Sequence, residues 1–253
     1  MKRGIVYACS NQRWMAETMR SAESCRRHMP DLARELYVTE TLLKEAGEKI
    51  REPFTEVVVL AETTHPHRPR FEATLQTTLD QAVFIDGDTL FLSPVYELFD
   101  LLENFDIAAS LAPQYLSPRA IAAGVFDLMP KVSLAQPEWN TGVIVARVDA
   151  AFRAMVREWS ALFSKCRAVP FGMDQASFRS AATHSRLRIA TLPNNYNFRA
   201  NIENSLAGAV KILHAHGDLE KIAGHVNSTL SMRVYRPVPG EIDGFQPKPV
   251  RPA

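Results

Sequence analysis

The stretch Gln81-Ala82-Val83-Phe84-Ile85-Asp86-Gly87-Asp88-Thr89-Leu90-Phe91-Leu92 decides the reading of this chain. A short apolar strand runs straight into two carboxylates, Asp86 and Asp88, with one glycine between them. Two acids so close at the end of a buried strand repel each other, and both must be desolvated. A divalent cation resolves the conflict: it neutralises both charges and can bridge to the phosphates of a ligand. Gly87 lets the backbone turn sharply and approach a bulky ligand. The position also fits, because ligands of open α/β sheets bind outside the carboxyl ends of the strands.

Upstream, strands and helices alternate. Ile5–Cys9 reads as a buried strand, and Ser10 or Asn11 can cap the helix that follows. Met15, Met19, Ala22 and Met29 recur at helical spacing until Pro30 stops the run. Arg34–Val38 is a second strand, and Leu42, Leu43, Ala46 and Ile50 mark a helical face. Val57–Ala61 is β-branched and uninterrupted, which predicts a central parallel strand. His65–Arg70 reads as a proline-stiffened loop before a helix over 71–79. This order, with the charged motif after the fourth strand, predicts a doubly wound half of an α/β fold. The first strand is not followed by G-x-G-x-x-G, and no P-loop pattern is present, so neither a dinucleotide fingerprint nor a Walker site is expected.

Downstream, Asp106–Ser110 is a further strand, while 112–139 holds four prolines and little periodicity. A loop of that length is expected to be functional or mobile. Trp139-Asn140-Thr141 precedes the strand Gly142–Ala146, and Phe152, Met155, Val156, Trp159, Leu162 and Phe163 form the inner face of a long helix. Phe171–Gln175 opens another helix. The late strands Arg188–Leu192 and Val210–Leu213 end in Asn194, Asn195 and Asn197, and in His214 and His216. The two histidines are expected on opposite sides of their segment. One domain is expected over 1–235, followed by an irregular proline-rich surface tail over 236–253.

The 253 residues are 46% hydrophobic and 23% charged, an ordinary globular composition able to bury a large core. Lys+Arg number 29 against Asp+Glu 28, and a net charge of +1 argues against a nucleic-acid platform built on bulk charge. Cys9, Cys25 and Cys166 are widely spaced and read as small apolar fillers in a reducing compartment. The apolar run after the basic N-terminus is shorter than a signal-peptide core, and no stretch approaches the roughly 20 apolar residues of a membrane span. A cytoplasmic location is the expectation.

Asp86/Asp88, Asn140/Thr141, Asp174/Gln175, Asn195/Asn197 and His214/His216 each follow a strand or open a helix, and their order is the informative part. From Ile5 to Gly217 the chain resembles the nucleotide-sugar-dependent glycosyltransferases of the GT-A fold, which implies a single α/β domain with a mixed, mostly parallel sheet flanked by helices. Within them it is most similar to the retaining family that includes glycogenin and bacterial lipopolysaccharide galactosyltransferases. The resemblance implies that Asp86 and Asp88 hold Mn²⁺ (or Mg²⁺), with His214, three residues before Gly217, completing the coordination. It implies that Asn140-Thr141-Gly142-Val143 meets the donor sugar and that Asp174 and Gln175 lie beside the anomeric carbon as the catalytic pair. Arg70 is implied to reach the donor, with Gly87 and Gly217 also at the donor, and Ala8, Cys9 and Ser10 to hold its base. Ser10 stands where the family often has an acid, and Lys221 is the nearest counterpart of a lysine that usually follows the glycine. The implied activity is metal-dependent transfer of a sugar from a nucleoside diphosphate, a UDP-sugar by preference, with retention. The implied acceptor is a glycan, a lipid-linked glycan or a protein.

Two other readings stand beside it. Haloacid-dehalogenase-like phosphatases also end a strand in Asp-x-Asp, but their threonine stands two residues after the second acid, where this chain has Leu90. Their motif also follows the first strand rather than the fourth. A protein that keeps the fold and binds nucleotide sugars without turnover is the second; the intact acidic pair argues against it.

Overall fold

A computed structural model describes residues 1–62, 68–166, 174–238 and 240–242. Among the described residues, twelve strands and eight α-helices follow one another. They are β1 (Arg3–Cys9), α1 (Gln12–His28), β2 (Ala33–Thr39), α2 (Glu40–Ala46), β3 (Glu56–Leu60), α3 (Arg68–Gln76), β4 (Gln81–Ile85) and β5 (Thr89–Phe91). Then come α4 (Glu97–Asp100), β6 (Ile107–Leu111), α5 (Pro118–Ala122), β7 (Trp139–Arg147), α6 (Ala150–Lys165), α7 (Gln175–His184) and β8 (Ile189–Leu192). The chain closes with β9 (Phe198–Arg199), β10 (Asn204–Leu206), β11 (Ile212–His214), α8 (Leu219–Val226) and β12 (Arg233–Tyr235).

The main sheet has seven strands in the order β3-β2-β1-β4-β7-β6-β8. The β1–β2, β1–β4, β2–β3 and β6–β8 pairs are parallel, and β7 runs antiparallel to both β4 and β6. Alternation along the central strands sends residues to opposite faces. Val6, Phe84 and Ile144 pack with Phe71 of α3, Trp159 of α6 and Phe178 of α7. Tyr7, Val83 and Val143 pack with Met15 and Cys25 of α1, Leu42 of α2 and Phe99 of α4. A second, three-stranded sheet, β5-β11-β9, carries its own core with α8. The pair β10–β12 completes the fold.

Several expectations are corrected. β3 is parallel but lies at the edge of the sheet, not its centre, and Val59 is 48% exposed. An uninterrupted apolar run does not distinguish the two places, because a helix can cover an edge strand as well. α3 begins at Arg68 and not at Phe71, so Arg70 stands on a helix and not in a loop. Pro69 permits this, since proline is tolerated in a first helical turn. The His65 and His67 part of the expected loop, and Phe171–Met173 of the expected helix start, lie outside the described residues.

Region 112–139 holds α5, whose Ser117 side chain caps it by accepting the Ala120 N–H at 3.3 Å, with Pro118 opening the first turn. The tail is not all surface: Glu241 and Ile242 are buried, Ile242 bridges to Gly217, and the Asp218 N–H donates to the Glu241 carbonyl at 2.9 Å.

Candidate active site

The carboxyl ends of β1 and β4 open onto one cavity of about 310 Å³. Because β7 is antiparallel to β4, its first residues arrive at that same end. Ile85 pairs with Val143, and the Asp86 N–H donates to the Gly142 carbonyl at 2.9 Å. Asn140 and Thr141 therefore lie within β7, not ahead of it, and still meet the acidic pair. The small sheet folds over the same end, since Thr89 of β5 pairs with His214 of β11. Topology thus gathers residues about 130 positions apart.

Asp86, Asp88 and His214 each offer a ligand atom, all within 4.8 Å of one another. His214 Nε2 lies 3.3 Å from Asp88 Oδ1 and 3.7 Å from Asp86 Oδ2. A relay of amides fixes which nitrogen carries the proton. The Gly142 backbone N–H donates to Asn140 Oδ1 at 2.9 Å, so that oxygen is an acceptor. Asn197 Nδ2 donates to the same oxygen at 2.8 Å, which turns Asn197 Oδ1 toward His214 Nδ1 at 2.7 Å. Nδ1 must then carry a proton, so Nε2, which points at the two carboxylates, is the nitrogen left to bind a cation. Two carboxylates and an imidazole nitrogen converging this closely could hold a cation among them. One imidazole and two carboxylates form a mixed donor set that could hold a divalent metal ion, and the Asn197 contact is of the kind that supports metal-binding histidines.

Burial pushes the Asp88 carboxyl up, but His214, His216 and Arg199 around it prevail and hold it below the ordinary carboxylate range. His216 stands on the same side as His214, with Nε2 3.7 Å from Asp88 Oδ2 and Nδ1 2.9 Å from Glu17 Oε2. This corrects the expectation of opposite sides: residues i and i+2 of an extended segment share a face. The Glu17 hydrogen bond raises the His216 pKa.

Two glycines make room for this arrangement. A Cβ on Gly142 would lie 2.1 Å from His214 Cε1, and one on Gly87 2.2 Å from Thr18 Oγ1 of α1. Neither position tolerates a side chain without movement.

Arg70 clamps the far wall. Its Nη1 donates to Asp174 Oδ2 at 2.9 Å, and its Nη2 to Asp86 Oδ1 and, at 3.0 Å, to the Thr141 carbonyl. Asp174 also accepts the Thr141 hydroxyl at 2.8 Å through Oδ1. The residue precedes α7, and its carbonyl accepts the Trp159 indole N–H at 3.2 Å. Gln175 lines the cavity, and its side-chain amide makes no hydrogen bond among the described residues.

Ala8, Cys9 and Ser10 line the cavity beside α1, together with Trp14 and Thr18. Asp86, Gly87, Asp88, Arg70, Asn140, Thr141, Asp174, Gln175 and His214 all join them. Gly217 does not line it. Its φ of 124° belongs to glycine, and its carbonyl accepts Arg20 Nη1 at 3.0 Å. Lys221 is turned away, 3.5 Å from Glu241. Sequence reasoning passed over Asn197 as a support and Arg199, Asn201, Glu17 and Trp14 as lining residues. The Asn195/Asn197 cluster was the available signal for the first; the others carry none.

No family model matches the sequence, and the comparison with curated proteins gives no match. The solved structures do. The galactosyltransferase LgtC, solved with donor and acceptor sugar analogs, superposes with a TM-score of 0.58 at 14% identity, covering 83% of this chain and 86% of that one. This chain has the GT-A fold. GlyE, a glycosyltransferase of Streptococcus pneumoniae, superposes at 0.60 with 17% identity over 85% of this chain, which spans 54% of GlyE. Mouse xyloside xylosyltransferase 1 superposes at 0.55 with 13% identity, covering 85% and 98% of the two chains. The GT-A sheet is therefore what sets Asp86, Asp88 and His214 at one carboxyl edge. No helix among the described residues is long and apolar enough to cross a membrane.

Proposed function

We propose that the protein is a metal-dependent glycosyltransferase that moves a sugar from a nucleoside diphosphate, a UDP-sugar by preference, to a hydroxyl acceptor with retention at the anomeric carbon. The observation that carries this reading is the Asp86–Asp88–His214 cluster, its histidine ring held by Asn197, in the cavity of a GT-A fold. All three solved relatives above are named as sugar transferases, which supports the same class.

Asp86, Asp88 and His214 would hold the metal. Mn²⁺ bound there supplies Lewis acidity for a departing diphosphate and orients the donor. The chain's own residues do the rest. Ala8, Cys9 and Ser10, at the end of β1, form the wall for the base. Asn140 is spent on the amide relay, so the backbone of β7 and the Thr141 side meet the sugar. Arg70 holds the Asp174 carboxylate in place. With one oxygen given to Thr141 and the other to Arg70, Asp174 serves as a fixed negative charge rather than a free nucleophile. The amide of Gln175, with no hydrogen bond among the described residues, supplies the dipole that meets positive charge developing on the sugar ring. In a retaining transfer the acceptor hydroxyl enters on the leaving-group side, and its proton passes to the departing phosphate oxygen.

The test is release of nucleoside diphosphate from a panel of nucleotide sugars in Mn²⁺, with water and simple glycosides as acceptors. At least one donor should be turned over, and chelator or Asp88→Asn should remove the activity while circular dichroism stays unchanged. Turnover that survives both changes would refute the assignment. Tight donor binding with no turnover on any acceptor would favour a non-catalytic binding protein.

A further inference from the structure

Arg199 closes β9 directly beside His214 of β11, and its side chain enters the cavity that holds Asp88, His214 and His216. Among the described residues its one polar contact runs from Nε to Asn201 Oδ1 at 3.3 Å, and Asn201 lines the same cavity. Of the five N–H donors of a guanidinium, those on both terminal nitrogens are thus left without a partner among the described residues.

The acids nearby are already engaged. Asp86 is held by Arg70, Asp88 by the two histidines, Asp174 by Arg70 and Thr141, and Glu17 by His216. Burial pushes the Arg199 guanidinium below its ordinary value, and Asp88 and Asp86 act against that from a distance. The two site arginines therefore differ. Arg70 is a structural clamp between carboxylates, whereas Arg199 is a partly dehydrated cation with no carboxylate in contact among the described residues.

A planar fork of this kind is built for bidentate contact with an oxyanion. Its neighbours are the atoms that would hold a metal, and a metal there brings phosphate oxygens with it.

We propose that Arg199 binds a phosphate of the donor's diphosphate, sharing it with the Asp86–Asp88–His214 metal site; this rests on the sugar-transfer reading above. Arg199 then supplies the positive charge that a departing diphosphate needs and that Arg70, spent on Asp86 and Asp174, does not provide.

The test is calorimetry of UDP and uridine, each with MnCl₂, against wild type, Arg199→Met and Arg199→Lys. Methionine keeps the packed stem and removes the charge. Arg199→Met should weaken UDP by about 10–100-fold, 1.4 kcal/mol for each factor of ten. Uridine affinity should not change, and Arg199→Lys should recover part of the loss. Matching thermal melts exclude a folding defect. UDP affinity in Arg199→Met within twofold of wild type overturns the assignment, and loss of turnover on an anionic acceptor alone would move Arg199 to the acceptor side. If wild type binds none of UDP, GDP, ADP or CDP in Mn²⁺, the sugar-transfer reading falls and this inference with it.

Discussion

At Gly142 a single missing carbon lets β7 lie against His214. The nearest atom to an added Cβ is a ring carbon of a buried imidazole, itself fixed by Asn197, so relief by side-chain rotation is closed off. Gly142→Ala should destabilise the protein by about 1–3 kcal/mol, the usual cost of overpacking, and should also weaken Mn²⁺ binding. Urea unfolding and metal titration check both; no change in either would mean that His214 is not seated against β7. The two histidines separate in the same experiment. Asn197→Leu frees the imidazole and should raise the Mn²⁺ concentration for half-saturation about 10–100-fold, as loss of an outer-shell partner does. His214→Ala should raise it further, and His216→Ala less than either, because its imidazole is drawn to Glu17. A larger shift for His216→Ala than for His214→Ala would make His216 the ligand. The types of these residues were legible in the sequence. Their division of labour was not, because the amide relay joins Asn140, Gly142, Asn197 and His214 through contacts that no local pattern records.

Among the elements, β3 and β4 look alike in sequence and differ in place. Val59 on the edge strand is 48% exposed, while Val83 on the central one is fully buried. Val59→Thr should cost no more than about 0.5 kcal/mol, as most surface substitutions do. Val83→Thr should cost about 1–3 kcal/mol for a buried hydroxyl without a partner. Equal costs in urea melts would contradict the strand order. α1 and α6 were legible because their apolar period is long and clean, and β4 because its short apolar run ends in two acids. α5 is five residues long, and its signal lay in the Ser117-Pro118 cap rather than in any period. The three-stranded sheet β5-β11-β9 was unreadable as a unit. Its strands are two or three residues each, and what pairs them is the return of the chain over the main sheet, a long-range event.

For the whole molecule, a metal that binds only the folded state must raise its stability. A ligand at about 100 times its Kd adds roughly 2.7 kcal/mol, which for a domain of this size is about 5–10 °C in Tm. Mn²⁺ should therefore shift the melt of wild type, and Asp88→Asn should lose most of that shift. A shift that persists in Asp88→Asn would place the metal elsewhere.

The sequence by itself determined the α/β class, the strand that ends in Asp86 and Asp88, and the polar clusters at the ends of the other elements. Hydrophobic period and charge placement are local properties, and these features follow from them. The tertiary structure alone decided that β7 runs antiparallel to β4, so that Asn140 and Thr141 reach the acids. It also decided that both histidines face Asp88, and that of two arginines at one cavity Arg70 is bound up with carboxylates while Arg199 is not. Which charge meets which is settled by the packing of segments far apart in the chain, and that packing is what converts a row of polar strand ends into one site.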